Sequence, residues 1–151
     1  MPLVFHFERR VEFCETDAAG IAHFSAFFPY MEQAEHALLR SLGASVMVLE
    51  EGGKRSWPRV AARCEYTGAA HFEEVLDIAV TVARLGRTSI TYRFGITRAG
   101  APVATGEITS VYCRFVSGRA PEPLPIPSEL AERLAAYVEP SSDQERRDLP
   151  K

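Results

Sequence analysis

Several things are scarce or missing in this chain of 151 residues, and each absence removes a class of protein. No apolar run approaches the ~18 residues that a bilayer-spanning helix needs, so no membrane span is expected. Positive charge is not in excess. Against 17 Lys and Arg stand 20 Asp and Glu, net −3, so there is no general basic field to hold nucleic acid. Cysteines are few and far apart: Cys14, Cys64 and Cys113 are odd in number and show no C-x-x-C spacing. They suit neither a disulfide frame nor a thiolate zinc site, so no metal is expected, and they fit reduced thiols in a cytoplasm. The G-x-S-x-G elbow of a serine hydrolase is absent. The start, "MPLVFHFERR", has no signal-peptide pattern, because its apolar part is short and already alternates. The remaining composition, 46% hydrophobic and 25% charged, is that of one ordinary soluble domain with a sizeable core.

Along the chain, residues 3–13 alternate as a strand does, with Phe5 and Phe7 against Val4, His6 and Glu8. "TDAAG" reads as a turn. From 24 to 42, Phe27, Met31, Ala34, Leu38 and Leu42 recur at spacings of three and four, one apolar helical stripe. Glu32, Gln33, Glu35, His36 and Arg40 fall largely off it, and Gly43 is a natural stop. Pro29 suits a first turn and no later one, which predicts an irregular start near 24–29. Residues 44–52 read as a short helix ending at Gly52-Gly53. Beyond them the signal is strand: "SWPRVAARCEYT", "EVLDIAVTVARLG", "RTSITYRFGITRAG" and "APVATGEITSVYCRFV" are rich in β-branched and aromatic residues, with Gly at the joints and a hairpin turn at "TRAGAP". A short helix follows at "PSELAERLAAYV". The expectation is one domain over 1–138 and a polar C-terminal tail over 139–151. One strand, one long helix and four strands make an α+β arrangement, a single helix against a broad antiparallel sheet. The sheet's edge strands could pair with a second copy.

The stretch with most chemistry is "VEFCETDAAGIAHFSAFF", residues 11–28: strand, turn, helix. Asp17 sits in a run of small residues just ahead of a helix start. A helix start offers unpaired N–H groups and about half a positive charge. Asp is ionised near neutrality at its ordinary pKa of about 3.9, and Gly20 permits a tight turn between the two. The segment therefore sets an anionic reagent and an oxyanion site a few residues apart. The same position suits a turn or capping Asp, and the residues alone leave both readings open. Glu15, two places back on a strand end, reads as a solvated charge. His23 reads as a partly exposed histidine or as a group that bonds substrate or orients water, and Ser25 as a candidate N-cap.

"ETDAAGIAHFSAFFPYMEQAEHALLRSLG" resembles the active-site segment of the hotdog-fold acyl-CoA thioesterases, in particular the 4-hydroxybenzoyl-CoA thioesterase family, which includes short-chain enzymes of the Tol-Pal-associated type. The likeness continues through "EYTGAAHFEEVLDIAVTVARLGRTSITYRFGI" and "VATGEITSVYCRF". It implies a hotdog fold, an antiparallel sheet wrapped around one long central helix. It implies a dimer or tetramer with acyl-CoA bound between subunits, Asp17 as base or nucleophile, and the backbone N–H of Phe24 polarising the thioester carbonyl. No cofactor is implied, since the CoA thioester is the substrate. Tol-Pal-type relatives carry a His one place after an aromatic. Here His23-Phe24 stand in the reverse order, and the 4-hydroxybenzoyl-type enzymes have an aromatic where Phe24 sits. That favours the aryl-CoA branch and leaves His23 a weak catalytic candidate. Within "ARLGRTS", Arg84 and Arg87 with the hydroxyls of Thr88 and Ser89 become candidates for the CoA phosphates, which an Arg fork matches well. Arg59, Arg63 and Arg114 lack such support. Trp57, the only Trp, is a weak candidate for the acyl pocket and equally suits core packing.

A hotdog hydratase would carry D-x-N-P-x-H, whereas Asp17 is followed by "AAGIAH", with no Asn-Pro and with His23 one residue late. The alternative from a different class is a non-catalytic acyl-CoA or acyl-carrier binding protein, which would keep the groove without needing Asp17. A scaffold dimer is the least specific reading.

Overall fold

The stripe read over 24–42 becomes a helix, α1 (Phe27–Ser41), entered through one 3-10 turn, Phe24–Ala26. The irregular start falls where Pro29 demanded it, because Pro29 lies in α1's first turn, where no N–H is missed. The structure, a computed structural model, describes residues 1–141; most of the expected polar tail, residues 142–151, lies outside them. Glu139 is tied down, its N–H donating to the Val82 carbonyl at 2.8 Å.

The long strands are β1 (Phe5–Arg10), then, after the β2–β3 hairpin described below, β4 (Arg59–Tyr66), β5 (Val75–Leu85), β6 (Ser89–Arg98) and β7 (Ala101–Val111). They form one antiparallel sheet in the order β1-β5-β6-β7-β4. The turn from β6 to β7 places Ala99 at φ 46° and Gly100 at φ 81°, the left-handed pair that a two-residue hairpin needs. One face of the sheet presents Leu76, Ile78, Val80 and Val82 of β5, Tyr92, Phe94 and Ile96 of β6, and Ala104 and Ile108 of β7, all buried. Onto it α1 presents Phe27, Tyr30, Met31, Ala34 and Leu38, each at most 2% exposed. A Cβ on Gly106 of β7 would lie 2.3 Å from the Met31 sulfur, so helix and sheet meet there at a distance only glycine allows.

Two expectations need correction. Residues 44–52 are not helical. They form β2 (Met47–Glu50), which turns at Gly52 (φ 79°) into β3 (Gly53–Ser56). Gly53 does not cap a helix; a Cβ there would meet the Phe115 carbonyl oxygen at 2.2 Å, because β3 is zipped against β8 (Cys113–Phe115). The last long run is likewise two strands: after β7, Tyr112 passes the chain into β8, which with β9 (Glu122–Pro123) completes a second sheet, β2-β3-β8-β9. The short terminal helix is α2 (Ser128–Ala135), which buries Leu134, while Arg133 donates to the Leu42 carbonyl that ends α1 (2.6 Å).

Two polar residues among those described are buried, Glu35 and Ser110. Glu35 is fully buried on α1. It accepts from Arg59 at 2.8 Å, and the same guanidinium nitrogen donates to buried Ser110 at 2.8 Å. Glu32, His36 and Tyr92 complete its surroundings. Among the described residues, the second oxygen of Glu35 and the Tyr92 hydroxyl have no hydrogen-bond partner. Burial pushes the Glu35 carboxyl up to about 7, outweighing the Arg59 charge that pulls it down. A folded value above the unfolded one means that the native state holds a proton the unfolded chain has released. Stability from this group is therefore complete below about 4.5, falls as pH rises, and is lost above about 7. A rise from 4.5 to about 7 corresponds, at about 1.4 kcal/mol per pH unit, to about 3 kcal/mol. Glu35→Gln, which keeps the shape and cannot ionise, should gain stability relative to wild type between pH 5 and pH 8 in thermal melts. A difference that stays constant over that range would show that Glu35 does not titrate there.

Candidate active site

Asp17 and Phe24 line one cavity of about 160 Å³, walled by Ile21, Phe27, Tyr66 and the small residues Gly68 and Ala70. Each wall has a local cause. The chain leaving β1 makes a 3-10 turn at Phe13–Glu15, where Glu15 is held by Arg9 (2.5 Å), the Tyr30 hydroxyl (3.0 Å) and the Glu12 N–H (2.7 Å). The side chain expected to be solvated is thus a half-buried brace between β1, the turn and α1. The next turn is closed by the Asp17 N–H donating to the Ile21 carbonyl and the Gly20 N–H to the Asp17 carbonyl, both at 2.9 Å, with Gly20 at φ 79°.

One Asp17 oxygen, Oδ1, accepts from the Ala19 N–H at 2.8 Å. That is a turn-type bond, so the turn reading of Asp17 holds in part. The capping reading does not, because the residue that caps is His23. Its Nδ1 accepts from the Ser25 N–H at 3.2 Å and lies 2.7 Å from the Ser25 hydroxyl; Ser25 is therefore inside the turn and not its N-cap. The Asp17 side chain is half-buried, with Oδ2 uninvolved in the turn.

Backbone bonding around Phe24 is uneven. The Ala22 N–H donates to the Ala70 carbonyl (2.7 Å), His23 to Glu15 (2.7 Å) and Ala26 to His23 (2.9 Å), while Ser25 uses the His23 ring. The Phe24 N–H has no acceptor among the described residues, as expected at the first position of a helical turn. Of residues 22–26, four have their amides satisfied and Phe24 does not, and Phe24 lines the cavity together with Asp17. An unpaired amide at a helix start carries partial positive charge suited to an oxyanion, and the carboxylate suits a base or nucleophile. Phe24, which lines the cavity, is 63% exposed, and elsewhere Phe13 and Phe72, edge to face at 5.7 Å, are also exposed. Such a pair marks a binding or contact surface.

The other candidates lie elsewhere in the chain. Arg84 is near the end of β5, and Arg87 and Thr88 lie in the β5–β6 turn with Ser89 opening β6. Arg10 pairs with Val75 at the opposite end of β5, so the sheet's length separates that turn from Asp17. Trp57 is 4% exposed, packed on Tyr112 at 4.8 Å, and lines a cavity of about 400 Å³ beside Leu42 and Gly43. That is the far end of a helix of 15 residues, roughly 22 Å long. Within one chain, then, Asp17 and Phe24 line one cavity, His23 stacks beside Phe24 with its ring turned to Ser25, and Arg84, Arg87, Thr88, Ser89 and Trp57 do not join them. Tyr66 and residues 68–70 were missed. They come from the end of β4 and the loop after it, and the only signal was their position past a predicted strand.

A long helix buried on a broad antiparallel sheet is the arrangement of the hotdog fold. The chain belongs to the Thioesterase superfamily, whose family model matches residues 19–115, well over half of it. It is 26% identical over 140 residues to a 1,4-dihydroxy-2-naphthoyl-CoA hydrolase of Synechococcus elongatus, covering 92% of this chain and 98% of the relative. Its fold is similar to that of a solved gentisyl-coenzyme A thioesterase (TM-score 0.74, 27% identity, 87% of this chain and 99% of the other). A 1,4-dihydroxy-2-naphthoyl-CoA thioesterase from Synechocystis shares the fold at TM-score 0.75 and 20% identity, over 87% and 96% of the two chains. Among the described residues no helix is long and apolar enough to cross a membrane.

Proposed function

We propose that this protein hydrolyses an acyl-CoA thioester, of the aryl-CoA kind handled by enzymes like 4-hydroxybenzoyl-CoA thioesterase, to the free acid and CoA. The observation that supports this reading is that Phe24, whose N–H has no acceptor among the described residues, lines the same cavity as Asp17. In the general-base form, Asp17 takes a proton from water and the hydroxide adds to the thioester carbon. The carbonyl oxygen gains the electron pair and is held by the Phe24 amide. Collapse breaks the C–S bond and releases CoA as its thiolate, which is then protonated. In the nucleophilic form an Asp17 oxygen attacks the carbon itself, expels the thiolate and leaves a mixed anhydride that water opens. Isotope from labelled water enters Asp17 in a single turnover only by the second route. Apolar and aromatic walls at Ile21, Phe27 and Tyr66 favour a flat aryl group over a short aliphatic one. Two of the relatives bear names of hydrolases of hydroxylated aryl-CoA thioesters, which agrees with that choice.

The working unit in this reading is a dimer or a pair of dimers. Among the described residues β4 is bonded only to β7, and Val60 on it is 62% exposed. An open apolar edge invites pairing. If two copies pair antiparallel along β4, the Trp57 end of one strand lies across from the Tyr66 end of the other. The β5–β6 turn, with Arg84, Arg87, Thr88 and Ser89, then comes to the same side of the assembly as the other copy's Asp17, where CoA phosphates could use it.

Purified protein assayed for thiol release should turn over at least one of benzoyl-, hydroxybenzoyl-, dihydroxynaphthoyl- and phenylacetyl-CoA faster than short aliphatic thioesters. No turnover on the whole panel would sink the enzyme reading and favour a binding protein. Asp17→Asn should lower kcat by at least about 100-fold, the scale of a lost general base; a near-normal rate removes Asp17 from the chemistry. In sedimentation, wild type should run as a dimer or larger. Val60→Glu should weaken association at least about tenfold by replacing an apolar contact at the paired edge with a carboxylate that must be desolvated, whereas a wild type that stays monomeric at micromolar concentration would reject pairing through β4.

A further inference from the structure

The open amide is useful only if it points in a fixed direction, and one side chain far away in sequence bears on that direction. We propose that Tyr66 is a positioning residue for the reaction, its hydroxyl donating to the Phe24 carbonyl and thereby fixing the backbone on both sides of the Phe24 α-carbon; the inference rests on the thioesterase reading above. The bond is 2.7 Å long and joins the last residue of β4 to a turn 42 positions earlier.

Three observations give it this role. The N–H at issue belongs to the peptide between His23 and Phe24, whose own carbonyl accepts from Ala26 at 2.9 Å. The next peptide, from Phe24 to Ser25, has its N–H on the His23 ring (3.2 Å) and its carbonyl on Tyr66. Both torsions of Phe24 are thus bracketed, and of these tethers only Tyr66 comes from outside the turn. Secondly, the ring is held independently of the hydroxyl, edge to face with Phe27 at 5.2 Å, so the O–H is aimed by packing. Thirdly, Tyr66 is 44% exposed and its hydroxyl goes to a backbone carbonyl at the site. Burial of the phenol pushes its pKa up to about 12, so the group remains a donor throughout the neutral range. Tyr66 touches the reacting atoms only through Phe24. It acts on the rate by keeping the amide aligned with the oxygen that becomes charged, where small misplacements are costly.

Tyr66→Phe deletes the O–H and keeps the ring. On the best substrate of the panel it should lower kcat about tenfold while KM stays within about twofold, the pattern of an interaction that acts in the transition state. Tyr66→Leu, which also removes the ring wall, should raise KM as well. A kcat for Tyr66→Phe within twofold of wild type overturns the proposal, whatever happens to its melting temperature. Backbone amide exchange, followed by NMR in the wild type and Tyr66→Phe, provides a readout that needs no turnover. Exchange at Ser25 and Ala26 should be about tenfold faster in the variant, since both bonds belong to the bracketed turn; unchanged protection also overturns it. If the wild type turns over nothing on the panel, the thioesterase reading fails on its own account, and amide exchange still decides whether Tyr66 holds the turn.

Discussion

The position of the Phe24 amide follows from the burial of the helix behind it. α1 sinks Phe27, Tyr30, Met31, Ala34 and Leu38 into the sheet, and at Gly106 the approach is too close for any side chain. A helix held so firmly cannot slide or rotate, so its first turn stays at one place relative to the strands. The end of a helix cannot satisfy its own first N–H groups. Here Ala70, Glu15 and the His23 ring take the amides of Ala22, His23 and Ser25, and that of Phe24 has no acceptor among the described residues. The site is what is left after the helix start has been pinned on all other sides.

The same helix holds the fold's least comfortable group. Glu35 occupies a fully buried position with Arg59 and Ser110, and desolvation outweighs the attraction of its partner. Arg59 opens β4, the strand whose far end carries Tyr66. The buried cluster therefore anchors one end of this edge strand to the middle of α1, while the Tyr66 hydroxyl anchors the other end to the turn ahead of α1. β4 is an edge strand with ties to the helix at both ends, and it forms one wall of the cavity.

How far the sequence could be read depended on how local the cause was. The stripe at Phe27, Met31, Ala34 and Leu38, the Pro29 irregularity and the hairpin at 99–100 were legible, because each rests on neighbours within a few residues. Residues 44–52 were misread because Met47-Val48-Leu49 followed by two glycines suits a short helix or a hairpin equally, and pairing with β8 decided between them. Glu15 was misread as solvated, and Glu35 was placed largely off the apolar stripe, for the same reason: their partners Arg59, Arg9 and Tyr30 come from other elements. The motif around Asp17 was legible through its resemblance to known thioesterases. Tyr66 was not, since nothing in "CEYTG" says where a hydroxyl will reach.

By itself the sequence determined that a carboxylate would stand a short turn ahead of an amphipathic helix, and that strands would follow, since periodicity and turn chemistry act over a few residues. Only the tertiary structure decided which amide stays open, which polar side chains are buried, and that the Arg87 turn lies at the opposite end of the sheet from Asp17. Those outcomes depend on hydrogen-bond partners and packing surfaces that segments distant in the chain supply only once folded.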